Sequence, residues 1–224
     1  MEPPRAVIFD LDGTLTPVRS VWKHIHQALG LWDGEAQRHQ RAFQSGAIGY
    51  EEWCSLDAAH WKGMRESDLR AIADGIPYRA GARDCVRALR AAGALVGVVS
   101  TGLSLLAERA RDDLRLAYVA SNRLEAVDGI LTGRVEVNVE HDGKDEAVDR
   151  FCARFGVTPD RLIAVGDSEG DIPMFRRAGF SVAVRPASRR TAEAASAVLK
   201  DESLAGLPAL LPMGRPRPQR RGAD

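Results

Sequence analysis

Lysine is scarce in this chain. Only four, Lys23, Lys62, Lys144 and Lys200, stand among 31 basic residues, so arginine serves as the general surface cation and each lysine is informative. Net charge is absent as well, because 31 Lys and Arg balance 31 Asp and Glu. Without a field of one sign, the chain is expected neither to bind nucleic acid nor to lie on a membrane surface. Cysteine is sparse, and Cys54, Cys85 and Cys152 form no CxxC pair. That spacing suits no metal, and the thiols read as buried apolar filler in a reducing compartment. No apolar run approaches the roughly 18 residues of a membrane span. Residues 1–5 lead straight into a strand-like run without a secretory apolar region, so a cytoplasmic location is expected. No GxGxxG follows a strand, and no GxxxxGK precedes Ser or Thr, which leaves a dinucleotide or P-loop reading without support.

What the chain has is the apolar content of a folded protein: 45% of its 224 residues are hydrophobic. At that length folding removes roughly 70% of the unfolded surface from water, and a packed core needs no covalent staples. Short runs apolar on both faces recur at Arg5–Asp10, Ala94–Ser100, Leu116–Ser121, Arg161–Asp167 and Phe180–Val184, the pattern of buried parallel strands. Between them lie helical patterns. Asp84–Ala92 places Cys85, Val86 and Leu89 on one face and stops at Gly93; Lys144–Phe155 does the same and stops at Gly156. Strand alternating with helix predicts an α/β fold with a Rossmann-like parallel-sheet core.

Two segments break the alternation. Arg123–Val139 reads as a β-hairpin turning at Asp128-Gly129. Pro17–Pro77 is about sixty residues of helical pattern holding all four tryptophans, Trp22, Trp32, Trp53 and Trp61, and reads as a small helical domain inserted after the first strand. The expected division is a discontinuous core of residues 1–16 and 78–212, an insert of 17–77, and a disordered Arg- and Pro-rich tail of 213–224. Within the insert, the tryptophans read as core, and His24, His26, His39 and His60 lack a convincing set of partner ligands for a catalytic metal.

In an open parallel sheet, ligands bind beyond the carboxyl ends of the strands. Three predicted strands end in polar residues there: Asp10, Ser100 and Asp167. Asp10 is followed by Asp12 in DLDGT, and the i, i+2 spacing can project both carboxylates to one side. Ser100-Thr101-Gly102 precedes a helix, where hydroxyl and N–H groups can receive an anion, or Ser100 or Ser104 can cap that helix. Lys144 opens a helix, where a cation is disfavoured unless something else requires it. In GDSEGD at 166–171, Ser168 and Asp171 fit a capping box, an explanation that does not reach Asp167.

Taken together, DLDGT at 10–14, Ser100, Lys144 and GDSEGDIPM at 166–174 resemble the haloacid dehalogenase-like hydrolases, in the phosphoserine-phosphatase-like branch, whose helical cap matches the insert. The resemblance covers about residues 5–210. It implies a phosphatase of small phosphorylated metabolites, with Asp10 as nucleophile and Asp12 as general acid and base. It further implies Mg2+ held by Asp10, the Asp12 main-chain carbonyl and Asp167; phosphoryl oxygens held by Ser100, Thr101, Gly102 and Lys144; and Asp171 orienting metal-bound waters or Lys144. Either a monomer or a homodimer is compatible with the chain.

The departures fall on substrate recognition. Arg19 stands where the branch has a glutamate for the substrate ammonium, and Asp57 approximately where it has an arginine for the carboxylate. Thr101 and Gly170 stand where glycine and asparagine are common. A helical wheel through Glu51–Trp61 sets Asp57 among Tyr50, Trp53, His60 and Trp61, so Asp57 is expected to face the substrate cavity, to pair with Arg19, or both. Phosphoserine phosphatase itself, a phosphotransferase or phosphomutase with the same intermediate, and a non-catalytic binding protein are the alternatives. The Asp10/Asp12 pair speaks against the last, since phosphate binding alone does not need a second carboxylate.

Overall fold

The computed structural model describes residues 6–212; the tail expected at 213–224 lies outside them. A seven-stranded sheet runs in the order β4-β3-β2-β1-β5-β6-β7, with β1 at Ala6–Phe9, β2 at Leu95–Leu103, β3 at Tyr118–Val127, β4 at Ile130–Glu136, β5 at Leu162–Gly166, β6 at Phe180–Val184 and β7 at Ala197–Leu199. Every pairing is parallel except the β3–β4 hairpin. The chain builds outward from β1 in both directions, so the strand order reverses beside it, and the carboxyl ends of β1, β2 and β5 border one crevice.

Alternation along β1 shows why the sheet is stable between two layers. Val7 and Phe9 enter one apolar cluster and Ala6 and Ile8 the other, all fully buried. On the first side the sheet is covered by α5 (Ala82–Ala91) and α6 (Ser104–Leu114), which supply Cys85, Val86, Leu89 and Ala110. On the second it is covered by α7 (Lys144–Phe155) and α8 (Ile172–Arg177), through Val148, Phe151, Met174 and Phe175. Between β1 and α5 come the helices of the insert: α1 (Val21–Ala28), α2 (Gln37–Gln44), α3 (Tyr50–Ala59) and α4 (Glu66–Asp74). None of the described helices is long and apolar enough to cross a membrane.

Two boundaries differ from the sequence expectation. The strand predicted to end at Ser100 continues through Leu103, so Ser100, Thr101 and Gly102 belong to its distal end. The strand predicted over Leu116–Ser121 and the first arm of the hairpin are one strand, β3. The buried, polar Asn122 sits where the two predictions separated, and it does not interrupt the strand because its amide is fully hydrogen-bonded. Strand β7, three residues long, is too short to leave a periodic signal.

The tryptophans organise the insert. Trp22 stacks on Trp61 with ring centroids 5.4 Å apart and lies tilted against Trp53 at the same spacing. Trp61 is fully buried, but its indole N–H has no hydrogen-bond partner, so its contribution is packing. Trp61→Phe is therefore expected to cost little, whereas Trp61→Ala should lose about 3–5 kcal/mol of unfolding free energy in urea titrations; equal losses in both variants would contradict the packing role.

Candidate active site

Asp10 is the first residue past β1, and its N–H donates to the Val165 carbonyl at 2.8 Å, in register with the neighbouring strand. The chain then turns sharply. Gly13 has φ +83°, and a Cβ there would collide with the Asp167 carboxylate, so glycine is required both by conformation and by close approach. The turn is held from outside by Arg79, a buried guanidinium that donates to the carbonyls of Gly13 at 2.5 Å and Thr14 at 2.9 Å. Asp12 accepts the N–H of Val21 on Oδ2 at 2.8 Å, while its Oδ1 has no partner in the protein.

Lys144 is the centre of the site. It is 2% exposed, and its Nζ lies 2.6 Å from Asp10 Oδ1 and 2.5 Å from Asp171 Oδ1. These two carboxylates explain a cation at the positive end of α7. Asp171 is fully used: its Oδ2 accepts from the N–H groups of Asp167 and Ser168, each at 2.8 Å, completing the predicted capping box. Ser100 Oγ accepts the Gly102 N–H at 2.9 Å, and α6 has no side-chain cap, so neither Ser100 nor Ser104 serves that helix.

The carboxylates of Asp10, Asp167 and Asp171 are buried, with one oxygen from each within 4.8 Å of the others. Burial raises the pKa of Asp10, which Lys144 opposes and Asp171 and Asp167 reinforce. Burial takes Asp12 to about 6, and burial together with Asp171 takes Asp167 to about 7. For Lys144 burial acts against the ammonium, but Asp10 and Asp171 outweigh it and hold the group above the ordinary lysine value. One buried lysine thus faces more negative charge than it neutralises. An all-oxygen group with excess negative charge fits a hard divalent cation.

Beside the cluster is a cavity of about 730 Å3, which Ser100, Asp167 and Asp171 do not line. Asp10, Asp12, Arg19, Thr101, Gly102 and Lys144 line it, as do Trp22, Gln40, Phe43, Gln44, Tyr50 and Trp53 of the insert and His141 before α7. Arg19 is at the rim, 52% exposed, with its guanidinium 3.2 Å from Asp167 Oδ2. Asp57 is elsewhere, and the expectation for it is corrected. Fully buried, it neither lines the cavity nor meets Arg19, but lies 3.4 Å from His26 Nε2 and 3.3 Å from His39 Nδ1. It shares the helix face of Tyr50 but sits about two turns further along α3. There His39 of α2 is hydrogen-bonded to Asp57 Oδ1, while Asp57 Oδ2 faces His26 of α1 without a hydrogen bond, so the buried carboxylate is only half satisfied. Sequence pattern does not mark Arg79, whose role comes from contacts with distant segments, whereas Tyr50 and Trp53 line the cavity from the helix face on which the wheel sets them.

A family model for haloacid dehalogenase-like hydrolases matches residues 7–176. The chain is 31% identical over 208 residues, 92% of its length, to the phosphoserine phosphatase of Archaeoglobus fulgidus, and 34% identical over 193 residues, 85% of its length, to phosphoserine phosphatase SerB2 of Mycobacterium tuberculosis. It spans 60% and 47% of those relatives. A solved phospho-aspartyl intermediate analogue of phosphoserine phosphatase superposes with a TM-score of 0.81 at 25% identity, covering 93% of this chain and 99% of the other.

The carboxylate surplus has a thermodynamic consequence. Asp12 and Asp167 bind protons more tightly folded than unfolded, so their contribution to metal-free stability is greatest below their unfolded pKa near 4 and is lost as pH rises through about 6 to 7. Asp167→Asn should therefore raise the Tm of the EDTA-treated protein at pH 8, through a stabilisation on the order of a few kcal/mol, and raise it by less than half as much at pH 5. A Tm lowered equally at both pH values would show Asp167 to be a net stabilising group.

Proposed function

The chain belongs to the haloacid dehalogenase-like hydrolase family, and from that membership we propose that it is a Mg2+-dependent phosphomonoester hydrolase. In this reading it acts on a small phosphorylated metabolite through an aspartyl-phosphate, with residues 17–77 forming a cap over the core. The observation that carries the proposal is the buried Asp10–Lys144–Asp171 chain beside an Asp12 whose Oδ1 is free of protein partners.

Lys144 takes Asp10 Oδ1, leaving Oδ2 to attack phosphorus; the new O–P bond forms as the bond to the leaving oxygen breaks. Asp12, held by the Val21 N–H and raised to about 6 by burial, gives the leaving oxygen its proton. It then takes a proton from the water that attacks the aspartyl-phosphate, releasing inorganic phosphate and restoring Asp10. Ser100, the Thr101 N–H and Lys144 hold the phosphoryl oxygens, the Gly102 N–H orients Ser100 Oγ, and Asp171 keeps Lys144 aimed. Asp10, Asp167 and the Asp12 main-chain carbonyl would hold Mg2+, which when bound would supply positive charge to offset the carboxylates and the incoming phosphate.

Asp10→Asn, nearly isosteric but a poor nucleophile, should abolish turnover while leaving the folded state intact by circular dichroism. Asp12→Asn should slow aspartyl-phosphate formation by roughly 10²–10⁴-fold with an alkyl phosphate and much less with p-nitrophenyl phosphate, whose leaving group needs little protonation. Equal losses with both substrates in that step would argue against an acid role.

The names of the relatives make phosphoserine the first substrate to test. The cavity supports a second reading. Among the described residues, the insert lines it with Arg19, Ser20, Gln40, Gln44 and aromatic rings, and with no carboxylate to receive an ammonium. Arg19 at the rim suits a second anionic group, as on a hydroxy-acid or sugar phosphate. A panel scored by release of inorganic phosphate decides between them and separates hydrolysis from phosphotransfer. If the cavity reading holds, phosphoserine is not the best substrate, and Arg19→Ala lowers kcat/KM most for the doubly anionic phosphates. Phosphoserine leading by a wide margin, with an unchanged ranking in Arg19→Ala, would refute it.

A further inference from the structure

The Thr101–Gly102 peptide is gripped from behind. The Thr101 carbonyl accepts from Tyr50 Oη at 2.7 Å, Asn122 Nδ2 at 3.0 Å and Trp22 Nε1 at 3.3 Å. Two of these donors come from the helical insert and the third from β3. In a planar trans peptide, C=O and N–H point in opposite directions. Turning the Thr101 oxygen toward the insert therefore aims the Gly102 N–H the other way, onto Ser100 Oγ. Gly102 also approaches Asp12 so closely that a Cβ there would meet its Oδ2 at 2.9 Å.

Asn122 extends the grip. It is fully buried, and its amide has no idle atom. Oδ1 accepts the N–H groups of Asn138 at 2.8 Å and Val139 at 2.9 Å, while Nδ2 also donates to Tyr50 Oη at 3.0 Å and the Val139 carbonyl at 3.2 Å. Val139 begins the short run into Lys144. One amide therefore ties the end of β2, helix α3 of the insert, and the segment that delivers the buried lysine.

We propose that Tyr50 and Asn122 are positioning residues that hold the Thr101–Gly102 peptide so that its N–H fixes Ser100 Oγ toward the phosphoryl group, and that seating the insert on the core and forming the anion pocket are a single event. The inference rests on the reading of Ser100 as a phosphate receiver. A merely structural role predicts something else: loss of one donor to the Thr101 carbonyl lowers Tm and leaves phosphate affinity unchanged.

The test compares wild type with Tyr50→Phe, which removes only the hydroxyl, and Asn122→Asp, which keeps the acceptor for Asn138 and Val139 but replaces the donor. Inorganic phosphate binding in Mg2+ is measured by calorimetry, alongside Tm and p-nitrophenyl phosphate kinetics. Tyr50→Phe should weaken phosphate binding and lower kcat/KM about 3–10-fold while Tm moves by no more than about 2 °C. Asn122→Asp should lose more, and the double variant no more than Asn122→Asp alone, because the two side chains act as one unit. Unchanged phosphate affinity and kcat/KM in Tyr50→Phe overturn the inference, as does a wild type that binds no phosphate; if Asn122→Asp fails to fold, Tyr50→Phe alone decides. A wild type that binds phosphate but hydrolyses no phosphomonoester overturns the proposed function instead, and the phosphate comparison still stands.

Discussion

A single buried ammonium sets the terms for this molecule. Lys144 sits between Asp10 and Asp171, both nearly or wholly out of water, with Asp12 and Asp167 close by. Withdrawing one carboxylate from solvent costs several kcal/mol unless it is paired and hydrogen-bonded. A cluster of them around one lysine is tolerable only where every remaining lone pair is engaged or kept for something to come. Asp171 follows the first course, with two main-chain N–H groups and the Ser168 hydroxyl on the oxygen that Lys144 does not use. Asp12 Oδ1 and the surplus charge on Asp10 and Asp167 follow the second. In the proposed function, that electrostatic cost is stored where a cation and a phosphoryl group are to be held, and the site is pre-organised because its charges cannot relax into water.

Such a cluster needs a rigid frame. It gets one from strands buried on both faces: pairing of β1 with β2 and β5 sets the relative heights of Asp10, Ser100 and Asp167, and apolar packing on either side prevents slippage. Arg79 closes the frame at the turn. Its guanidinium takes the carbonyls of Gly13 and Thr14, which would otherwise be buried acceptors, and so fixes the bend that brings Asp12 back toward the cavity. In a chain that uses arginine almost everywhere, this one is distinguished only by where it ends up.

The distance over which each role is decided accounts for what could be read in the sequence. Asp10, Asp12, Ser100, Lys144 and Asp167 stand at strand ends or a helix start, and an apolar run followed by a polar residue marks such places within ten residues. The alternation of strands and helices, the insert and the Asp128-Gly129 turn are local in the same way. Arg79 acts on carbonyls 65 and 66 residues away, and Tyr50 reaches a carbonyl 51 residues away; no window contains both partners. Asn122 left a trace, a polar residue in the middle of a strand-like run, but the trace read as the gap between two strands. Asp57 was misplaced for a different reason. A helical wheel gives the angle of a side chain about the axis and not its height along it, and two turns were enough to carry the carboxylate past the cavity into the insert's interior.

The same contrast separates reaction from selection. Residues on the core answer to sheet register, which leaves little freedom to change the position of Asp10, Lys144 or Asp167 without unmaking a strand. The insert is attached to the core through side chains, Tyr50 and Trp22 among them, and through main-chain hydrogen bonds of Gly63, Met64 and Glu66 to the β3–β4 hairpin, but its inner wall is built from rings whose packing tolerates exchange better than a hydrogen-bonded charge cluster does. A stack running from Trp61 through Trp22 to Trp53 and Phe43 makes the wall stiff without giving it charge, while Asp57 and its two imidazoles lie behind Trp22 and Trp61, inside the insert. What breaks this stack on the insert's side of the cavity is Arg19, Ser20 and the amides of Gln40 and Gln44, while the core adds His141, Asp142, Glu169, Arg176 and Arg190. In the proposed function, exchanging the insert's polar residues changes which leaving group is accepted without touching Asp10 and Asp12.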